Sequence, residues 1–173
     1  MLFRSSSLDE AGKVFNPIQS YPHQGDSIKK KNVVIIVVES LSREFVGALN
    51  KEKDGYEFYT PFLDSLIPHS LTFKYAFANG KRSIEALPSV TASIPSLTEA
   101  YVLTPYSTDK INSLASVLKK YGYESSFFHG AHEGSMGFSA FMKMAGVDRF
   151  YSKKEYNNEK DYDGTWGIYD EPF

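Results

Sequence analysis

Hydrophobic positions along the chain fall into short groups, and the spacing within each group predicts an element. Residues 1–28 carry Gly12, Pro17, Pro22 and Gly25 among polar clusters without a period, which predicts a linker or extended arm. Asn32 to Val38 is a continuous β-branched run, the pattern of a strand covered on both faces in a parallel sheet. Thr60 and Pro61 open a short helix as cap and first helical residue, and Pro68 ends it. Leu71, Phe73, Tyr75 and Phe77 alternate as a second strand with an aromatic face, running into the turn at Asn79-Gly80. Ile111, Leu114, Val117 and Leu118 share one helical face behind Thr108 and Asp109, with Gly122 placed for a left-handed stop. Tyr123 to Phe128 then reads as a buried strand, Phe138 to Ala145 as a helix ended by Gly146, and Ser152 to Asp163 as a polar, aromatic tail without period. Strands alternating with helices predict an α/β unit from residue 29 to residue 173, a largely parallel sheet flanked by helices.

Composition narrows the function classes. A hydrophobic content of 42% suits a globular core, and 12 Tyr with 13 Phe supply its bulk. The net charge of −2 offers no basic field for nucleic acid. With no cysteine, disulfides, thiolate metal sites and cysteine nucleophiles are excluded. Met1 to Ser7 lacks the apolar stretch of a leader peptide, and no apolar run is long enough to span a bilayer.

Ligands of parallel sheets collect beyond the carboxyl ends of the strands, which directs attention to three places. Glu39 follows Val38 directly, and a carboxylate there suits a hard divalent cation, although a cap or a solvated loop residue would look the same. Ser83 follows Asn79-Gly80-Lys81-Arg82 at the start of an apolar helix. Backbone N–H groups and two cations there favour phosphate, and a metal on the hydroxyl would make it nucleophilic; plain capping is the alternative. His129 closes Phe127-Phe128-His129-Gly130 at the end of the third strand, where it can donate to a phosphate oxygen. Gly130 interrupts the spacing to His132, so a substrate contact is favoured over zinc ligation.

Four segments in this order, "NVVIIVVES" at Asn32–Ser40, "TPFLD" at Thr60–Asp64, "NGKRSIEALPS" from Asn79 and "FFHG" at Phe127–Gly130, resemble the lipoteichoic acid synthase-like members of the alkaline phosphatase/sulfatase superfamily. Phosphoethanolamine transferases share the strand-Glu and the hydroxyl five residues short of a proline, here Ser83 and Pro88. The resemblance covers residues 30 to 173 and implies an alkaline phosphatase/sulfatase-like fold. It implies that Glu39 binds Mn, Mg or Zn, that Ser83 stands where the family's usual threonine nucleophile stands, that Lys81 or Arg82 offsets phosphate charge and that His129 contacts the head group. It also implies a phospholipid or envelope-glycan substrate, and an enzyme that in full length is membrane-associated at the extracytoplasmic face of the bacterial cytoplasmic membrane.

The family completes its metal site with an Asp-His pair well downstream of the histidine strand. Asp148, Asp161, Asp163 and Asp170 are not followed by His, and "NPIQS" at Asn16–Ser20 resembles a linker after membrane helices. These features set the expectation of an N-terminal part of the domain, truncated at both ends and exposing an uncovered sheet edge. Two other readings stay open: a sulfuric ester hydrolase, for which Ser93-Ile94-Pro95-Ser96-Leu97 is a near match to the formylglycine motif with Leu97 in place of Arg, and a non-catalytic remnant.

Overall fold

A computed structural model describes Ser20, Pro22 and residues 29–73 and 75–173. The chain divides into two compact units, residues 1–38 and 39–173. Apart from Ser20 and Pro22, the expected linker lies outside the described residues.

In the first unit, residues 29–38 form no regular secondary structure, and Val33 to Val38 are all exposed, from 50% at Ile35 to 80% at Val34. This corrects the expected strand at Asn32–Val38. A β-branched run becomes a buried strand only when ladders form on both sides, and the described residues of this unit contain no strand to pair with. The same correction applies to Leu71, Phe73, Tyr75 and Phe77 in the second unit, which are exposed and lie outside the described strands.

Within the second unit, helix α1 (Pro61–Leu66) starts at Thr60 with Pro61 at its first turn and passes into a 3-10 turn, Ile67–His69, that contains Pro68. Helix α2 (Ser83–Ala92) buries Leu87 and Pro88. Helix α3 (Leu114–Lys119) begins later than Thr108, because Ser113 is its cap: the Ser113 hydroxyl accepts from the Ser116 N–H at 3.0 Å and donates to the Ala145 carbonyl. Gly122 takes the left-handed conformation, φ 78°, that the stop requires.

Strand β1 (Ser126–Phe128), helix α4 (Phe138–Met144) and strand β2 (Arg149–Tyr151) make one β-α-β unit. Its strands are parallel, with Phe127 opposite Phe150 and Phe128 opposite Tyr151. Those pairs stack, at centroid separations of 5.3 and 4.8 Å. A one-turn helix α5 (Lys153–Tyr156) follows, capped by the buried Ser152. The core is Leu87 of α2 with Phe138, Phe141, Met142 and Ala145, the α4 face and its cap, flanked by Ile84, Tyr101, Ile111, Phe127 and Phe150. The helix that begins with Ser83 and the strand that precedes His129 are thereby packed onto one apolar cluster.

Candidate active site

Glu39 and Ser83, 44 residues apart in sequence, meet through a short hydrogen bond in which the Ser83 hydroxyl donates to Glu39 Oε2. The other carboxylate oxygen accepts from the Ser40 hydroxyl at 3.3 Å. Ser40 itself sits at φ 56°, left-handed backbone that a non-glycine residue adopts at a cost of order 1–3 kcal/mol. The chain must therefore bend sharply directly after the carboxylate.

The segment that follows is held by side chains from "TPFLD". Thr60 accepts from the Gly47 N–H at 3.4 Å and donates to the Phe45 carbonyl at 3.3 Å, while Asp64 accepts from the Ala48 N–H at 2.7 Å. Asn50, buried, donates to the carbonyls of Arg43 and Val46, both at 2.8 Å. Thr60 and Asp64 thus support the 3-10 turns at Arg43–Phe45 and Gly47–Leu49 downstream of Glu39. Periodicity showed only the helix start at Thr60, because its tertiary partners lie in irregular backbone.

On the Ser83 side, sequence reasoning missed Glu85. Its Oε2 accepts from the Lys81 N–H at 2.7 Å and the Arg82 N–H at 3.1 Å, and its Oε1 is 3.0 Å from the Arg82 guanidinium. The Arg82 hydrogen bond, followed by the backbone N–H groups, holds the Glu85 carboxyl below its ordinary range. The signal was present as an acidic residue three positions into the helix, the capping-box spacing. Arg82 is committed to Glu85, whereas the Lys81 ammonium takes part in none of the ion pairs among the described residues.

His129 stands just beyond β1 and donates its backbone N–H to the Tyr151 carbonyl at 2.9 Å. Its ring lies 4.9 Å from Phe138 and 6.5 Å from Phe127, with Nδ1 buried and without a hydrogen-bond partner. Burial lowers its pKa from the ordinary 6.5, so the neutral ring prevails at neutral pH. The structure bonds Glu39 to Ser83, while Ile84 beside Ser83 and Phe127 two residues before His129 pack on the same apolar cluster.

His132 is part of a separate environment. It packs edge-on against Tyr162 and helps line a polar cavity of about 310 Å³ with Glu133, Lys153, Lys154, Asn157 and Glu159. Three of the spare aspartates have local partners: Asp148 binds Lys119 and Ser125, Asp161 binds Tyr156 and Asn158, and Asp163 accepts from the N–H groups of Thr165, Trp166 and Gly167. Among the described residues there is no group of three or more His, Cys, Asp or Glu placed to hold a metal. The Glu39 carboxylate and Ser83 hydroxyl suit a hard divalent cation in kind, as oxygen donors. They provide only two of the donors such an ion takes.

The parallel strand-helix-strand unit is part of an α/β fold shared with the alkaline phosphatase superfamily. The solved structure of a protein in that superfamily from Vibrio parahaemolyticus superimposes with a TM-score of 0.66 and 29% identity, over 77% of this chain and 31% of that one. The chain belongs to the sulfatase family, whose profile matches residues 31–173. Lipoteichoic acid synthase 2 of Bacillus subtilis (strain 168) is 28% identical over 148 residues, 83% of this chain and 22% of that protein. The lipoteichoic acid synthase LtaP of Listeria monocytogenes is 26% identical over 56% of this chain and 24% of its own, with a TM-score of 0.49. The chain therefore spans about a fifth of the length of the curated relative it matches. No helix among the described residues is long and apolar enough to cross a membrane.

Proposed function

We propose that this chain carries the nucleophile-bearing part of a phospho-ester transferase or hydrolase that acts on lipid or glycan head groups of the bacterial cell envelope. The observation that carries the proposal is the hydrogen bond from Ser83 to Glu39 at the first turn of α2. Sulfatase-family membership and the likeness to a lipoteichoic acid synthase support the reaction class and the substrate class.

Glu39 and Ser83 are the residues that would hold a divalent cation, Mn, Mg or Zn. When bound, the ion would supply a lowered hydroxyl pKa and offset phosphate charge. Glu39 accepts the Ser83 proton in a hydrogen bond and so fixes the direction of the hydroxyl. Ser83 then forms a P–O bond as the bond to the leaving alcohol breaks; the Ser83 proton is released by way of Glu39, and the leaving alcohol takes up a proton in exchange. An acceptor hydroxyl or water attacks phosphorus in the second step and frees Ser83. Lys81 offsets charge on the phosphoryl oxygens, and neutral His129 orients the head group. In full length, such an enzyme would act at the extracytoplasmic face of the cytoplasmic membrane.

A formylglycine-dependent sulfatase is less well supported, because Ser93 is the left-handed cap at the far end of the ten-residue α2, about 15 Å from Ser83 at 1.5 Å per residue. The test is mass spectrometry after incubation with an aryl phosphodiester and Mn²⁺. A phosphoryl adduct on Ser83, absent in Ser83→Ala and strongly reduced in Glu39→Ala, is the expected result. Equal labelling of Ser83→Ala would overturn the assignment.

A further inference from the structure

Ser83 is the first residue of α2, so the direction of its hydroxyl depends on the backbone of the residues just before it. That stretch, residues 80–82, has no regular secondary structure, and Lys81 and Arg82 are exposed. Few buried contacts restrain such a segment, and left to itself it would open locally at little cost.

One side chain restrains it. Glu85 bridges the N–H groups of Lys81 and Arg82 with a single carboxylate oxygen, and the other oxygen draws in the Arg82 guanidinium. Its side chain is only 13% exposed, against 60% for Arg82. Gly80 makes room for it: a Cβ there would lie 2.5 Å from Glu85 Oε2 and 2.6 Å from its Cβ. A capping box needs only the N-cap N–H. Here the residue before the cap is bound as well, so the bend entering Ser83 is fixed at two successive peptides.

We infer that Glu85 is a positioning residue for Ser83: its carboxylate locks residues 80–82 and so keeps the Ser83 hydroxyl on Glu39. Arg82 is spent in this clasp, which leaves Lys81 as the cation of the pair that faces the substrate's anionic group. The inference rests on the reading of Ser83 as the nucleophile.

The experiment is NMR measurement of the Ser83 Hα–Hβ couplings in the 173-residue chain. In the wild type they take the values of one staggered rotamer. Glu85→Ala averages them over several rotamers. Glu85→Gln retains them, because its amide oxygen still accepts from both N–H groups. A role confined to helix stability would change amide exchange along α2 and leave these couplings alone. Should Glu85→Ala fail to fold, Gly80→Ala displaces the carboxylate with Glu85 in place, and the same averaging is expected. Single-rotamer couplings in Glu85→Ala, alongside shifted Lys81 and Arg82 amide protons, would overturn the inference. The couplings need no turnover, so failure of Ser83 to label with phosphodiester would sink the nucleophile reading separately.

Discussion

Gly130 and Gly167 show how a motif noticed for its histidine depends on residues without side chains. The Ile168 N–H donates to the Gly130 carbonyl at 2.8 Å, which draws the two backbones together directly after His129. A Cβ on Gly167 would lie 2.7 Å from the Gly130 oxygen, 2.9 Å from its carbonyl carbon and 3.1 Å from the Ala131 nitrogen. All three are backbone atoms and cannot rotate away. Gly167→Ala is therefore expected to destabilise the chain by about 1–3 kcal/mol, the usual cost of overpacking, in urea unfolding. Gly134→Ala is the control, since nothing lies within 4 Å of that position, and its midpoint should match the wild type. A Gly167→Ala midpoint equal to that of the control would show that the loop yields freely. Gly130 was visible in "FFHG", whereas its partner was not, because close approach between distant backbones leaves no periodic trace.

At the scale of elements, α3, β1 and β2 are joined by one carboxylate. Asp148 binds the Lys119 ammonium at the end of α3 and accepts from the Ser125 N–H and hydroxyl, each at 2.9 Å, just before β1. The Lys119 bond first, then the two from Ser125, lower the Asp148 pKa from 3.8 to about 2. A folded-state pKa below the unfolded one means that the stabilisation is complete above 3.8, declines below it and is gone once the pH has fallen through about 2. Urea unfolding of wild type and Asp148→Asn across that window should show a difference that is constant on the neutral side and shrinks towards the acid end. A difference that persists undiminished below the lower value would remove Asp148 from the account. Local rules located most of these elements: the proline start of α1, the apolar face of α3, the span of α4 and its stop at Gly146. Strand β2 was missed, since its residues Arg149 to Tyr151 are too few to show alternation, and pairing with β1 alone defines it.

At the scale of the molecule, two segments where strands were expected present rows of exposed apolar side chains among the described residues. Leu71, Phe73, Tyr75 and Phe77 are 84, 67, 77 and 89% exposed, an alternating apolar row outside the described β1-β2 sheet. Extended apolar segments of this kind associate. Sedimentation velocity should show concentration-dependent self-association, and Phe73→Lys combined with Phe77→Lys should return a monomer. A wild-type chain that stays monomeric at high concentration would contradict this. The sequence by itself determined the α/β class, four of the helices, the place of strand β1 although Ser126 and Phe128 of it are exposed rather than buried, the family resemblance and the placing of Ser83 at a helix start. Each of these depends on residue type or on bonds that close within a few positions. Only the tertiary structure decided that the Ser83 hydroxyl bonds to Glu39 across 44 residues and that the two apolar runs lie outside the described strands. The reason is physical. A helix satisfies its own backbone, whereas a strand and a site exist only where distant segments supply the other half of each bond.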